Sequence, residues 1–344
     1  MTRRAKQILG LLVFLSTCLH AQQPTPDPPG STPVFRLSTN LVVLDALVET
    51  RKTEVAIGPL DKADFQLSED GLLQTITYFS HDKLPLSVVF LFDLTDTVRP
   101  ALKPLAEGAR EVLGHLKPQD ETAVMVFSSH TELLQPFTAD RSLAAAAIEK
   151  ASEMKSDDGT FIHESMYEAV DEAMKSTVPG TRRVLIWLTD GTANFENSFT
   201  QKTIGKQAPV SLHTKEEATD KLLRSGVVVS ALIQRTASTD ALMVAADANP
   251  FFLMFGGRTG DIRKYADETG GPVLNTTKQE VAARLAMLID QIRDRYTLGY
   301  KPSVAKPAGT FCKIQLQLAP EVFAREAHLK KGNLVVRTRL GYYR

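Results

Sequence analysis

The sequence predicts a mostly parallel, doubly wound α/β sheet inserted between two β segments. Three observations predict it. Between residues 86 and 297, apolar runs alternate with helical segments, the pattern of strands joined by crossover helices. Those runs are nearly continuous, as strands covered on both faces must be. On either side, in residues 35–79 and from Tyr296 to the end, the pattern turns β-rich, with alternating polar and apolar positions.

In chain order, Leu41-Val42-Val43-Leu44 opens a strand that continues to Val48. Residues 64–69 form the next strand and run into Asp70-Gly71, after which residues 74–79 return. An Asp-Gly pair between strands signals a hairpin, because both central positions of a type I′ turn need positive φ. Buried strands follow at 86–92, 121–128, 183–188, 227–233 and 273–274. Helices are expected at 100–116, 143–154, 162–175, 215–225, 262–268 and 278–296. In the last of these, Val281, Leu285, Leu288 and Ile292 share one face. Cys312, Ile314, Leu316 and Leu318 then alternate with Lys313, Gln315 and Gln317, which buries one face of a strand. Cys312 shares that apolar face and reads as an inert core thiol. Residues 334–342 make a last strand.

This order suggests a division into an N-terminal β segment (34–84), an α/β domain (85–297) and a C-terminal β segment (298–344). The two β segments are expected to pair in one small β-sandwich.

Composition fits a globular protein, with 43% hydrophobic and 23% charged residues. A formal net charge of zero argues against a general nucleic-acid or anionic-membrane binder. Residues 1–21 read as a secretion signal. Arg3, Arg4 and Lys6 precede an apolar run at 8–19 that is short for a membrane span, and Ala21 suits cleavage. Its loss takes three of the 40 basic residues and none of the 40 acidic ones, leaving a net charge of −3. The alternative is a lipoprotein signal at Cys18, although Thr17 fits that pattern poorly. Without Cys18, Cys312 has no partner for an intrachain disulfide, so a core must supply stability. Residues 22–33, rich in Pro, Thr and Gln, read as an extended linker.

Asp93 ends the first buried run of the α/β region, in Asp93-Leu94-Thr95-Asp96-Thr97, and Asp190 ends another, in Leu188-Thr189-Asp190-Gly191. In a doubly wound sheet, ligands bind beyond the strand ends where the connections diverge. Asp158-Gly159-Thr160 lies in a loop before a helix, from which Thr160 can present its hydroxyl. Asp93, Thr95, Thr97, Thr160 and Asp190 thus offer carboxylates and hydroxyls, the hard oxygen donors that suit Mg²⁺ or Mn²⁺. No His or Cys cluster competes for a softer metal. The plain alternative is that Asp93 and Asp190 only cap loops or helix starts.

This order resembles the metal-ion-dependent adhesion site of von Willebrand factor type A domains: Asp-x-Ser-x-Ser at a strand end, then a loop Thr, then Thr-Asp-Gly at a second strand end. Here Thr stands for both serines. The flanks, from Val34-Phe35-Arg36-Leu37 through Leu41-Val42-Val43-Leu44-Asp45, Asp64-Phe65 and Glu69-Asp70-Gly71, to Tyr296-Thr297-Leu298-Gly299-Tyr300 and Gly341-Tyr342-Tyr343, are similar to a secreted bacterial VWFA-related family common in acidobacteria. The resemblance implies a Rossmann-like fold and a role for each residue. Thr95 and Thr97 bind the metal directly, Thr160 joins when a ligand arrives, Asp190 acts through water, and Asp93 is the anchoring carboxylate. An open coordination position then takes an Asp or Glu side chain from a protein or surface partner. The implied function is extracytoplasmic binding or adhesion, not catalysis. The resemblance further implies coupling of the site to the last helix, residues 278–296. Two other readings remain open: a scaffold of an envelope complex with a vestigial site, and an unrecognised hydrolase.

Other signals weigh less. The haloacid-dehalogenase pattern needs a second carboxylate two residues after the nucleophilic Asp, where this chain has Thr95. His163-Glu164-Ser165-Met166-Tyr167 begins like a zinc-protease motif but has Tyr167 in place of the second His, and reads as a helix start. The Gly-rich run at 256–260 lacks the Lys of a phosphate loop, and no Gly-x-Ser-x-Gly elbow exists. The long connection at 194–214 begins beside the expected site, and its Phe195, Phe199, Lys202 and Lys206 could shape a partner surface or simply be solvated.

Overall fold

The computed structural model describes residues 41–155, 160–191, 212–235, 259–325 and 331–344. The expected signal and linker, Asp158-Gly159, the Gly-rich run before Thr259 and most of the 194–214 connection lie outside these residues.

The chain opens with β1 (Val42–Thr50), β2 (Phe65–Glu69), β3 (Leu72–Gln74) and β4 (Ile76–Ser80). The α/β region follows with β5 (Leu86–Asp93), α1 (Arg99–Gly114), β6 (Glu121–Phe127), β7 (Thr131–Thr138), α2 (Arg141–Glu153), α3 (Ile162–Met174) and β8 (Arg182–Thr189). It continues through α4 (Lys215–Ser225), β9 (Val228–Gln234), α5 (Thr259–Thr269), β10 (Val273–Thr276) and α6 (Val281–Arg293). The last elements are β11 (Tyr296–Tyr300), β12 (Phe311–Leu318), α7 (Pro320–Arg325), β13 (Leu334–Arg337) and β14 (Gly341–Tyr343).

The central sheet has six strands in the order β10-β9-β8-β5-β6-β7. All neighbours run parallel except β7, which is antiparallel to β6. Strand β5 shows why its run is apolar throughout. Val88, Phe90 and Phe92 pack into a layer with α1, α2 and α6, whereas Val89 and Leu91 pack into the opposite layer with α3, α4 and α5. A side-chain period of two therefore buries both faces. The expectation of a doubly wound sheet holds. Strand β7 was not foreseen: it is an edge strand, half-buried along most of its length and carrying Pro136, so it has no buried apolar run to reveal it.

Helix α4 shows local sequence acting directly. Thr214 and Glu217 form a capping box at its start, and Gly226 ends it at φ 71°.

The flanking β segments form two four-stranded sheets, β13-β1-β11-β4 and β14-β12-β2-β3. Their inner faces share one core that includes Leu44, Phe65, Leu67, Tyr296, Leu298, Cys312 and Ile314. Each sheet mixes N-terminal and C-terminal strands, as in β1 with β11 and β2 with β12. Asp70 (φ 49°) and Gly71 (φ 84°) make the tight turn between β2 and β3.

Three differences from the sequence reading follow from this packing. The return strand after Gly71 is only Leu72–Gln74, and the chain then crosses to the other sheet as β4. Residues 334–342 are two strands in different sheets rather than one. The last helix stops at Arg293, because Tyr296 belongs to the sandwich. There it pairs with Ala46, stacks on Phe79 and accepts a hydrogen bond from Leu60 N at 3.0 Å.

Candidate metal centre

Strand β5 lies between β6 and β8. Its connection leads to β6 on one side, while that of β8 leads to β9 on the other. The carboxyl ends of β5 and β8 therefore form the switch point at which such sheets bind ligands. Asp93 is the last residue of β5, and Asp190 directly follows β8.

Both Asp93 oxygens are engaged. Oδ1 accepts from Thr95 N at 2.8 Å, and Oδ2 accepts from Thr189 Oγ1 at 2.7 Å. The first bond turns the chain so that Thr95 and Thr97 face each other, with their hydroxyls 3.2 Å apart. Thr97 Oγ1 donates to Asp190 Oδ2 at 2.5 Å. Thr95 O accepts from Val98 N and Arg99 N, which starts α1 directly after the loop. Asp93, Thr95, Thr97 and Asp190 thus form one connected cluster. Asp93, Thr95 and Asp190 are buried.

Thr160 lies at the same sheet edge. Phe161 N bonds to Ser128 O, just past the end of β6, at 3.1 Å. Thr160 is fully buried, and its Oγ1 has no hydrogen-bond partner among the described residues. It is not bonded to the other four residues.

The electrostatics favour a cation. Burial, together with the nearby charge of Asp190, pushes the Asp93 carboxyl up to about 7, against the pull of hydrogen bonds from Thr95 and Thr189. A positive charge beside two buried carboxylates reverses that penalty. Asp96, by contrast, is largely exposed and pairs with Arg99 at 3.2 Å, so the cluster gains no third carboxylate from this loop.

Residues 88–192, under a third of the chain, match the family model of the von Willebrand factor type A domain. This segment is similar to a von Willebrand factor type A domain. Solved structures similar to the chain include the conserved hypothetical protein BatB from Bacteroides thetaiotaomicron, at 15% identity and TM-score 0.41, covering 60% of this chain and 98% of that one. Another is the vWF domain of the type V pili tip protein Mfa5 from Porphyromonas gingivalis, at 11% identity and TM-score 0.40, covering 61% and 96%. A third is proximal thread matrix protein 1 from the mussel byssus with a zinc-occupied MIDAS motif, at 14% identity and TM-score 0.43, covering 67% of this chain and 50% of that one. No curated protein matches the sequence.

The residues of this cluster fit a divalent cation by their own chemistry. The donor set is all oxygen, it carries two carboxylates, and it includes one buried hydroxyl with no hydrogen-bond partner among the described residues. Among the described residues, one other group converges as metal ligands would: Glu69, Asp70 and Cys312 in the sandwich. Its members are already committed. Glu69 accepts from Tyr300 and Tyr342, Asp70 pairs with Lys306, and burial pushes the Cys312 thiol up.

Thr189 is not among the residues the sequence marks as metal ligands. In the domain it bridges Asp93 Oδ2 and Gly191 N, at 2.7 and 2.9 Å, and so ties the ends of β5 and β8 together. Its place in Thr189-Asp190-Gly191 was the available signal. His163 and Glu164, which in the sequence only begin a broken zinc-protease pattern at a helix start, are both buried and bonded at the start of α3.

Proposed function

We propose that this protein is an extracytoplasmic, divalent-metal-dependent protein-binding or adhesion module. Mg²⁺ or Mn²⁺ would be held by Thr95 and Thr97, with Asp190 and Asp93 supplying negative charge and Thr160 joining when a ligand arrives. A cation bound there offers an open coordination position that takes an acidic oxygen, so the partner is a protein or surface ligand presenting Asp or Glu. The chain's own part is to hold these oxygens at the sheet edge and to bury the two carboxylates, which raises the value of each interaction with the cation. The observation that carries this reading is the buried Thr160 hydroxyl, unpartnered among the described residues, at the same sheet edge as an oxygen-only cluster that contains two carboxylates. Secretion rests on the N-terminal pattern of residues 1–21. Among the described residues, no helix is long and apolar enough to cross a membrane.

One observation favours a second reading, a scaffold of an envelope complex with a vestigial site. The 2.5 Å bond from Thr97 to Asp190 already satisfies two of the donors without a metal. Capture of a partner from envelope extracts separates the two. Retention that is lost in EDTA supports metal-dependent binding, and equal capture with and without EDTA supports the scaffold. A phosphatase and esterase panel tests the remaining reading, a hydrolase.

A further inference from the structure

We infer that Glu164 is a positioning residue for Thr160, and that through it Glu164 sets how tightly the metal edge holds a cation together with a carboxylate. The inference rests on the metal-dependent reading above.

Among the described residues, no hydrogen bond orients the Thr160 hydroxyl. Its placement is therefore inherited from its backbone. On one side, Phe161 N is fixed to Ser128 O at 3.1 Å. On the other, the chain enters α3 at once, and Ser165 N bonds to Phe161 O at 3.0 Å. What holds the first turn of α3 thus holds Thr160.

Two buried polar side chains in that turn reach across to two other helices. Glu164 Oε2 accepts from Leu212 N and His213 N, each at 2.9 Å, and Oε1 bonds to His213 Nδ1 at 2.9 Å. The His213 ring stacks on Tyr167, one turn further along α3, at 3.5 Å and 9°. Lys221 of α4 lies 3.3 Å over the same Tyr167 ring. Thr214, next in the chain, caps α4. One carboxylate therefore joins the start of α3 to the start of α4. His163 acts in parallel: its Nδ1 shares a 2.8 Å hydrogen bond with Tyr265 of α5, and its Nε2 lies 3.9 Å from Asp261.

Packing alone does not require an acid here. An apolar side chain would fill the space without the cost of burying a carboxylate. The hydrogen bonds that offset this cost link the carboxylate to Leu212 and His213, directly before the cap of α4. Glu164 thereby ties the first turn of α3, which directly follows Thr160, to Leu212 and His213 at the entry to α4. Residues that orient ligands in this way typically change metal affinity 10- to 100-fold when removed.

The test is Mn²⁺ titration of the full chain in acetate, which supplies the carboxylate. It is run at a temperature where near-ultraviolet circular dichroism shows each variant folded. Glu164→Ala is expected to weaken Mn²⁺ binding about tenfold. Glu164→Gln keeps an oxygen for the two backbone N–H groups and an NH₂ for His213 Nδ1, and is expected to bind like the wild type. In a Thr160→Ala background, Glu164→Ala is expected to add no further loss, because both changes act through one group. If Glu164→Ala does not fold, His213→Ala carries the test, with a loss of roughly threefold for one hydrogen bond, again absent when Thr160 is Ala. The inference is overturned if the informative variant binds as tightly as wild type, if its loss is undiminished without Thr160, or if Glu164→Gln binds as weakly as Glu164→Ala. Wild-type protein that binds no Mn²⁺ removes both this inference and the metal reading. Binding weakened by Thr160→Ala but not by the Glu164 or His213 variants removes this inference alone.

Discussion

Arg182 grips Asp45 with two hydrogen bonds, from Nε to Oδ2 at 2.9 Å and from Nη2 to Oδ1 at 3.0 Å. Arg182 opens β8 with its side chain 1% exposed, and Asp45 lies in β1 of the sandwich. Arg182 Nη1 also donates to Ile292 O near the end of α6, and Thr297 of β11 donates to Asp45 Oδ1. The strand that carries Thr189 and Asp190 at one end is therefore pinned to the sandwich at the other.

Asp45→Ala leaves Arg182 buried without its counter-charge, which is expected to cost about 3–5 kcal/mol, read from urea unfolding. Burial alone would raise the Asp45 carboxyl, but the charge and hydrogen bonds of Arg182, aided by Arg295, outweigh it and hold it below its ordinary value. An acid whose folded pKa lies below its unfolded value of about 3.9 stabilises the fold above that pH. The contribution is lost as pH falls through the folded pKa. Wild-type stability should therefore drop below about pH 4, and Asp45→Asn should show a shallower acid limb. Parallel acid limbs would contradict this role.

Treating residues 85–297 as an inserted domain predicts that this fragment folds alone, though less stably than the full chain, since Arg182 loses Asp45 and Arg295 loses its contact with Asp45 O. Thermal unfolding of the fragment tests this, and a chain with no cooperative transition would count against the insertion.

The two threonines make a separate prediction. Thr95→Ser with Thr97→Ser keeps both hydroxyls and removes two methyls, so Mg²⁺ affinity should equal or exceed that of the wild type. Thr97→Val keeps the shape but removes the hydroxyl that donates to Asp190. A loss of about tenfold or more is expected there, as for one hydrogen bond to a charged group. Similar affinities for the Ser and Val proteins would mean that these hydroxyls are not metal ligands.

If the site is coupled to α6, Mg²⁺ with acetate should change amide hydrogen exchange in Val281–Arg293, because this helix leads directly into β11. Unchanged exchange there would remove the coupling.

Much of this architecture was legible in the sequence. Runs such as Leu86 to Phe92 can only be strands covered on both faces, and Asp93 and Asp190 sit where those runs stop. Asp70-Gly71 marked its turn because its φ values select those residues. What escaped depends on tertiary contacts. Tyr296 continues a helical pattern locally, yet the sandwich claims it through Phe79 and Leu60 N. Glu164 looks like any first-turn acid until Leu212 and His213 are brought to it. The bond from Thr189 to Asp93 spans 96 residues and leaves no local trace.

The central claim is that Asp93, Thr95, Thr97, Thr160 and Asp190 hold a divalent cation. Isothermal titration of wild type and Asp93→Ala with Mg²⁺ and Mn²⁺ tests it most directly. Saturable binding to the wild type that is lost in Asp93→Ala is the predicted result, and indistinguishable titrations of the two folded proteins would contradict it.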